Sequence, residues 1–370
     1  MAKRKDMGRL KHYRRKGYAS KRTARRALAA VAALAALFVA GWLVAPAVAD
    51  LGTRAWYGLK DHFTGGGAPS PTPAPTPEET GVPQATPAPT AGPTPAGQIA
   101  AGDWAVVSLT SVGSPEAAQA TARQLAEQGV RYAVLPLKDA QGYIYYDSKV
   151  ELAAASIAGL KVDPAMVAQA LRDAGLTPVA SVCAFQDPVA AYADRSLCVQ
   201  YGDGGVVWLD AAASAGGKPW LDVTSAGAQG YIESLLAEVR GFGFDQVLVS
   251  GVQFPSGLSL EKAVYAAGTA QQVDKAAQLQ ALLARWQAAA DEGGWVLWVE
   301  VNAAEGALEE SATLGALSRL GIRNLVLDAG GAAEGDEGQA QLSQAVQNGR
   351  AGGAEHIVVR TGGTARFSEG

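Results

Sequence analysis

The sequence predicts an α/β chain whose folded part is a (β/α)8-like TIM barrel, incomplete or open, preceded by one transmembrane helix and a proline-rich linker. Three observations predict the barrel. Over residues 101–370, short apolar runs alternate seven times with amphipathic helical stretches. The apolar runs are near-continuous rather than alternating, as strands covered by helices must be. Several helical stretches end in glycine just before the next strand, at Gln128-Gly129, Ala174-Gly175 and Leu320-Gly321. Glycine accepts the left-handed conformation that terminates a helix, so these boundaries are chemically marked.

The N-terminal elements follow from composition. Residues 1–26 carry 12 of the chain's 31 Lys and Arg against one acid, Asp6. Residues 27–49 contain no charge and reach the ~20 residues needed to span a bilayer. Positive charge stays in the cytoplasm, so the basic tail is expected inside and the bulk of the chain outside. An uncleaved anchor is favoured over a signal peptide because the basic region is long, although Ala47-Val48-Ala49 before Asp50 resembles a processing site. Residues 50–64 are a juxtamembrane segment. Residues 65–98 are dominated by Pro, Thr, Ala and Gly. Proline removes backbone donors and nothing there could bury a core, so a solvated linker is expected.

Residues 101–370 read as one large domain. Strands are predicted at 105–109, 132–137, 178–185, 246–252, 295–301, 324–328 and 357–360. Helices are predicted at 115–128, 164–174, 226–241, 270–290, 312–320 and 339–349. Repeated βα units require parallel strands with right-handed crossovers. Seven units favour a barrel over a doubly wound sheet. The first strand runs into Thr110-Ser111-Val112-Gly113-Ser114 with no glycine-rich phosphate loop. No eighth strand is visible, since only ten residues follow Arg360.

Charge and residue usage exclude several functions. Beyond residue 26 the chain holds 19 basic and 34 acidic residues, which argues against nucleic acid as a partner. The three histidines, His12, His62 and His356, and the two cysteines show no metal-ligand spacing, so neither metal nor cofactor is expected. Cys183 and Cys198 flank one loop. A disulfide there is favoured in an oxidising compartment, the alternative being two unpaired small residues.

Four segments together resemble an uncharacterised bacterial family of glycoside-hydrolase-like TIM barrels. They are 129–147 (GVRYAVLPLKDAQGYIYYD), 175–188 (GLTPVASVCAFQDP), Trp220-Leu221-Asp222 and 243–255 (GFDQVLVSGVQFP). The resemblance implies a barrel acting on, or binding, a polysaccharide or cell-wall glycan. Pro136, Ser181, Ser250 and Gln253 stand where the family pattern places Asp, Arg, Asp and Arg. Lys138, Asp139, Asp187 and Asp222 survive. Glycosidic cleavage usually needs two carboxyl groups, and serine cannot replace an aspartate in either role.

Barrel active sites lie at the C-terminal ends of strands. By that rule Glu300 and Asp328 are the remaining candidate catalytic pair, with Arg360 placed to pair with one of them. The alternative is an ion-pair network among Glu300, Asp328, Arg360 and Lys138. Trp208, Trp220, Tyr143, Tyr145 and Tyr146 fall in βα loops and could stack on sugar rings, with Asp187, Asp210 and Gln253 supplying hydrogen bonds. Equally, the aromatics could plug the barrel mouth. The expected function is that of a membrane-anchored, extracytoplasmic glycoside-hydrolase-like domain, impaired in catalysis and binding carbohydrate or serving the cell envelope. An active hydrolase using Glu300 and Asp328 is one alternative, and a protein-binding surface scaffold another. The location is a bacterial plasma membrane, crossed once.

Overall fold

A computed structural model describes residues 99–202, 205–330, 335–361 and 366–369. The basic tail, the 27–49 helix, the 50–64 segment and the linker at 65–98 lie outside the described residues. Among the described residues, no helix is long and apolar enough to cross a membrane.

Twelve strands are described: β1 (Asp103–Val106), β2 (Val130–Lys138), β3 (Thr177–Cys183), β4 (Gln200–Tyr201), β5 (Val206–Val207), β6 (Gln246–Ser250), β7 (Ala263–Tyr265), β8 (Gly268–Thr269), β9 (Val296–Asn302), β10 (Asn324–Gly330), β11 (His356–Thr361) and β12 (Arg366–Glu369). The helices are α1 (Pro115–Glu127), α2 (Pro164–Asp173), α3 (Pro188–Ala193), α4 (Ala226–Gly241), α5 (Lys275–Gly293), α6 (Ala303–Ala307) and α7 (Asp336–Ala351).

The seven predicted strands are all present as β1, β2, β3, β6, β9, β10 and β11, running parallel as an open TIM-like barrel. The remaining gap is bridged by β12, which runs antiparallel to both β11 and β1 and closes the ring. The eighth position is thus filled by an antiparallel strand that begins five residues after β11, which is why no eighth βα pattern is visible.

Local chemistry sets the helix limits. Ser114, Asp163, Asp187, Ser225, Asp274 and Asn302 each cap a helix by accepting a first-turn N–H. Gly129 and Gly175 follow α1 and α2 at φ 78° and 82°, the left-handed conformation expected of them. On α4, Tyr231, Ile232, Leu235, Leu236 and Val239 are buried, each worth about 1.5–3 kcal/mol for a full apolar side chain.

Two departures have physical causes. The helix predicted over 312–320 does not form; only a 3-10 turn at Leu317–Arg319 does, and α6 lies earlier. Gly315 sits at φ 68° against Ala276, where a Cβ would come within 2.7 Å, and Ser311 bridges back to Gly315. The helix predicted from 270 starts at Lys275, because Thr269 and Gln272 form a turn and Asp274 supplies the cap. The long loops after β3 and β6 build a second, four-stranded antiparallel sheet in the order β5-β4-β7-β8.

Candidate functional site

Side chains alternate along each strand, so every second residue faces the barrel interior. Trp104, Tyr132, Val134, Val179, Leu248, Trp298, Val326 and Val358 fill that interior as one apolar cluster. Trp104 stacks on Tyr132 at 4.6 Å and meets Trp298 edge-on at 4.8 Å. Two residues further along each strand come Pro136, Ser181, Ser250, Glu300, Asp328 and Arg360, all partly exposed, lining the C-terminal mouth where barrel sites lie.

Arg360 joins the two carboxylates predicted from sequence. Its Nε donates to Asp328 Oδ1 at 3.0 Å and its Nη2 to Asp328 Oδ2; the same Nη2 lies 3.4 Å from Glu300 Oε1. The side chains are 16% (Glu300), 27% (Asp328) and 30% (Arg360) exposed, so the cluster is mostly desolvated. Burial pushes the Glu300 carboxyl above its ordinary range, Arg360 pulls it down and Asp328 adds to the rise. Asp328 Oδ1 also accepts Gly330 N–H at 3.1 Å. The space beside Asp328, reaching Asn302 and Gln341, is about 40 Å³, room for a water and not for a sugar ring.

Lys138 does not join that network. Its ammonium is buried, donating to the Cys183 carbonyl at 2.6 Å and pairing with Asp187 at 3.0 Å. Asp187 in turn accepts Ala190 N–H at 2.9 Å and the Tyr231 hydroxyl at 3.2 Å. With side-chain exposures of 1% and 0%, this pair cannot touch a ligand. It locks the start of α3 onto the end of β2.

The predicted aromatic platform is absent. Trp208 is fully buried, its Nε1 donating to the Leu258 carbonyl at 3.1 Å, and Trp220 is 4% exposed with Nε1 3.4 Å from Asp210 Oδ2. Asp210 also accepts Lys218 N–H at 2.7 Å, so it folds its own loop rather than facing a ligand. Tyr146 is buried against Glu238, and Tyr145 donates to Asp139, which pushes its hydroxyl up to about 12; Tyr143 is exposed. Gln253 is half-buried just beyond β6. Trp208 and Trp220 anchor the loop after β3, the Trp208 N–H donating to the Val199 carbonyl at 2.8 Å and the Val199 N–H to the Trp220 carbonyl at 3.1 Å.

The disulfide expected between Cys183 and Cys198 is not formed. Cys198 Sγ donates to the Ala191 carbonyl at 3.1 Å, while Cys183 Sγ faces Ser250 and the Gln186 carbonyl, so the thiols serve different loops. Burial raises both. Asp222, also buried, was not assigned a role from its motif. It accepts Thr224 N–H at 2.8 Å and Ala266 N–H at 2.6 Å, tying together the loops after β3 and β6. Among the described residues, no group of three or more His, Cys, Asp or Glu could hold a metal ion.

With this geometry in place, the comparison with known proteins assigns the class. A family described as "Putative glycosyl hydrolase domain" matches residues 105–320, and the chain belongs to that family. No curated protein matches the sequence. Among solved structures, a hypothetical protein from Ruminiclostridium thermocellum is 21% identical, covering 53% of this chain and 96% of its own, with a TM-score of 0.43. A Flavobacterium johnsoniae dextranase complexed with glucose is 11% identical over 68% of this chain and 31% of its own, TM-score 0.47. A Vibrio harveyi exo-β-N-acetylglucosaminidase is 12% identical over 69% of this chain and 40% of its own, TM-score 0.44. The chain therefore spans less than half the length of either enzyme.

Proposed function

We propose that this is a glycan-binding member of the glycosyl hydrolase family that has lost cleavage. It is displayed outside a bacterial plasma membrane by the 27–49 helix and the 65–98 linker. One observation carries the reading: Arg360 holds both remaining mouth acids. Hydrolysis requires one carboxyl to give up a proton and another, about 5–10 Å away, to attack or to activate water. Here both oxygens of Asp328 are engaged by one guanidinium, and Glu300 shares its Nη2. Ser181 and Ser250 supply no acid at the neighbouring strand ends.

The test uses the full-length chain in detergent micelles against a glycan array and against labelled cell-wall polysaccharides. Binding without release of reducing ends is expected. Turnover that disappears in Glu300→Gln would overturn the reading in favour of an active hydrolase. The observation favouring that second reading is the asymmetry of the pair: burial favours a proton on Glu300 while Arg360 holds Asp328 by two hydrogen bonds. Display outside the membrane is checked by protease treatment of intact cells, which should release the folded domain.

A further inference from the structure

A cleft of about 670 Å³ lies between the segment that follows β8 and the segment between α6 and β10. Its volume falls within the range of small-ligand sites. Its rim is formed by Gln271, Gln272, Asp274, Glu310 and Arg319, with Lys275 in the floor. Asp274 is held on both oxygens, by Ala277 N–H at 3.0 Å and by Arg319 at 2.7 Å, while the two glutamines keep donor or acceptor capacity to spare. Gln271 donates its amide to the Glu261 carbonyl at 2.8 Å, leaving its oxygen as an acceptor. Gln272 accepts from Thr269 N–H and hydroxyl, both at 3.1 Å, leaving its NH2 as a donor. Arg319 Nη2 donates to Asp274 Oδ2 at 2.7 Å, leaving Nη1 as a donor to another group. Glu310 faces the charges of both Lys275 and Arg319.

The floor is already satisfied. Lys275 donates to the Ala312 carbonyl and lies 5.7 Å over the Phe254 ring. Asp274 and Glu310 are matched by Lys275 and Arg319, so the charges lining the cleft cancel and give no net preference for an anion or a cation. Fixed donors and acceptors side by side, without a net field, match paired hydroxyls on an uncharged ring.

We propose that this cleft, rather than the Arg360-locked mouth, holds the ligand, and that the ligand is a neutral oligosaccharide read through vicinal hydroxyl pairs. The inference rests on the glycan-binding reading above and gives it a place. It also explains how the domain can bind sugar although Trp208 and Trp220 are buried: recognition passes to preset amides and a guanidinium.

The experiment is calorimetric titration of the full-length chain with the neutral oligosaccharide that scores highest on the array, repeated with Arg319→Ala, Glu310→Ala and the Gln271→Ala/Gln272→Ala pair. Glu310 is exposed, and its replacement leaves the fold intact if any does. A loss of affinity of tenfold or more in all three variants, with unchanged thermal midpoints for Glu310→Ala, is expected. Wild-type affinity in the variants would overturn the cleft while leaving the glycan-binding reading standing. A wild-type chain that binds no glycan overturns both. Tighter binding of uronate-containing than of neutral oligosaccharides would overturn the neutral ligand.

Discussion

Replacing Arg360 by methionine keeps an unbranched stem and removes the guanidinium with its charge. Arg360 makes two hydrogen bonds to Asp328 and one 3.4 Å contact with Glu300. At 3.4 Å and an effective dielectric constant of ~20, Coulomb's law gives roughly 5 kcal/mol of gross attraction for one pair. Desolvation offsets much of that, and removing one partner of a buried pair costs about 3–5 kcal/mol. These side chains keep 16–30% of their exposure, which scales the net loss to about 2–3 kcal/mol. The loss depends on pH. Burial raises the folded pKa of Glu300 above the ordinary carboxylate range, and Arg360 opposes the rise. A raised acid contributes stability fully below its unfolded pKa and loses it as pH climbs through the folded pKa. Without Arg360 the rise grows, so Arg360→Met should lose more stability at pH 7.5 than at pH 5. Urea denaturation followed by tryptophan fluorescence at both values measures it. An equal loss at the two pH values, or a loss below about 0.5 kcal/mol at either, would refute the reasoning.

Three further outcomes are expected. Asp187→Ala leaves the Lys138 ammonium buried without its counter-charge and removes the α3 cap; a loss of about 3–5 kcal/mol in denaturation is expected, with partial recovery when Lys138→Met is added. Trp208→Ala should cost about 3–5 kcal/mol, whereas Trp208→Phe should keep glycan affinity unchanged, since the indole touches no ligand. Gly257→Ala places a Cβ 2.2 Å from the Asp210 carbonyl oxygen at φ 150°; faster cleavage by elastase, which cuts after small residues such as Ala211, Ala212 and Ala213, is expected in the 205–218 loop, and wild-type resistance would show that the loop relaxes around it.

The barrel was legible because its signals are local. Each helix end carries its own glycine or cap, and each apolar run is a complete strand, so Gly129, Gly175 and Asp274 mark boundaries whatever lies elsewhere in the chain. Glu300, Asp328 and Arg360 could be placed together by one rule, that strand ends share a mouth. The aromatic residues could not. Trp208 and Trp220 lie in a loop whose β4 pairs with its neighbour β5 and also with the distant β7, Gln200 opposite Val264, and two-residue strands leave no periodic trace. Of the cleft residues, Gln271, Gln272, Asp274 and Lys275 were hidden inside a predicted helix over 270–290, where the Asp274 cap signal was the available clue, and Arg319 inside the one predicted over 312–320. The 312–320 segment has helical periodicity, but Gly315 must approach Ala276 too closely for a helix to form.

The antiparallel strand β12 makes the ring depend on its final seam. Trp104 of β1 pairs with Phe367 of β12, across nearly the whole domain in sequence. Until residues 366–369 have emerged during synthesis, β1 and β11 both present unpaired edges, and such edges invite pairing with other chains. A short truncation or a bulky fusion at that end would therefore reopen the cylinder along its length, turning a small change at the C terminus into an aggregation hazard far from the mouth.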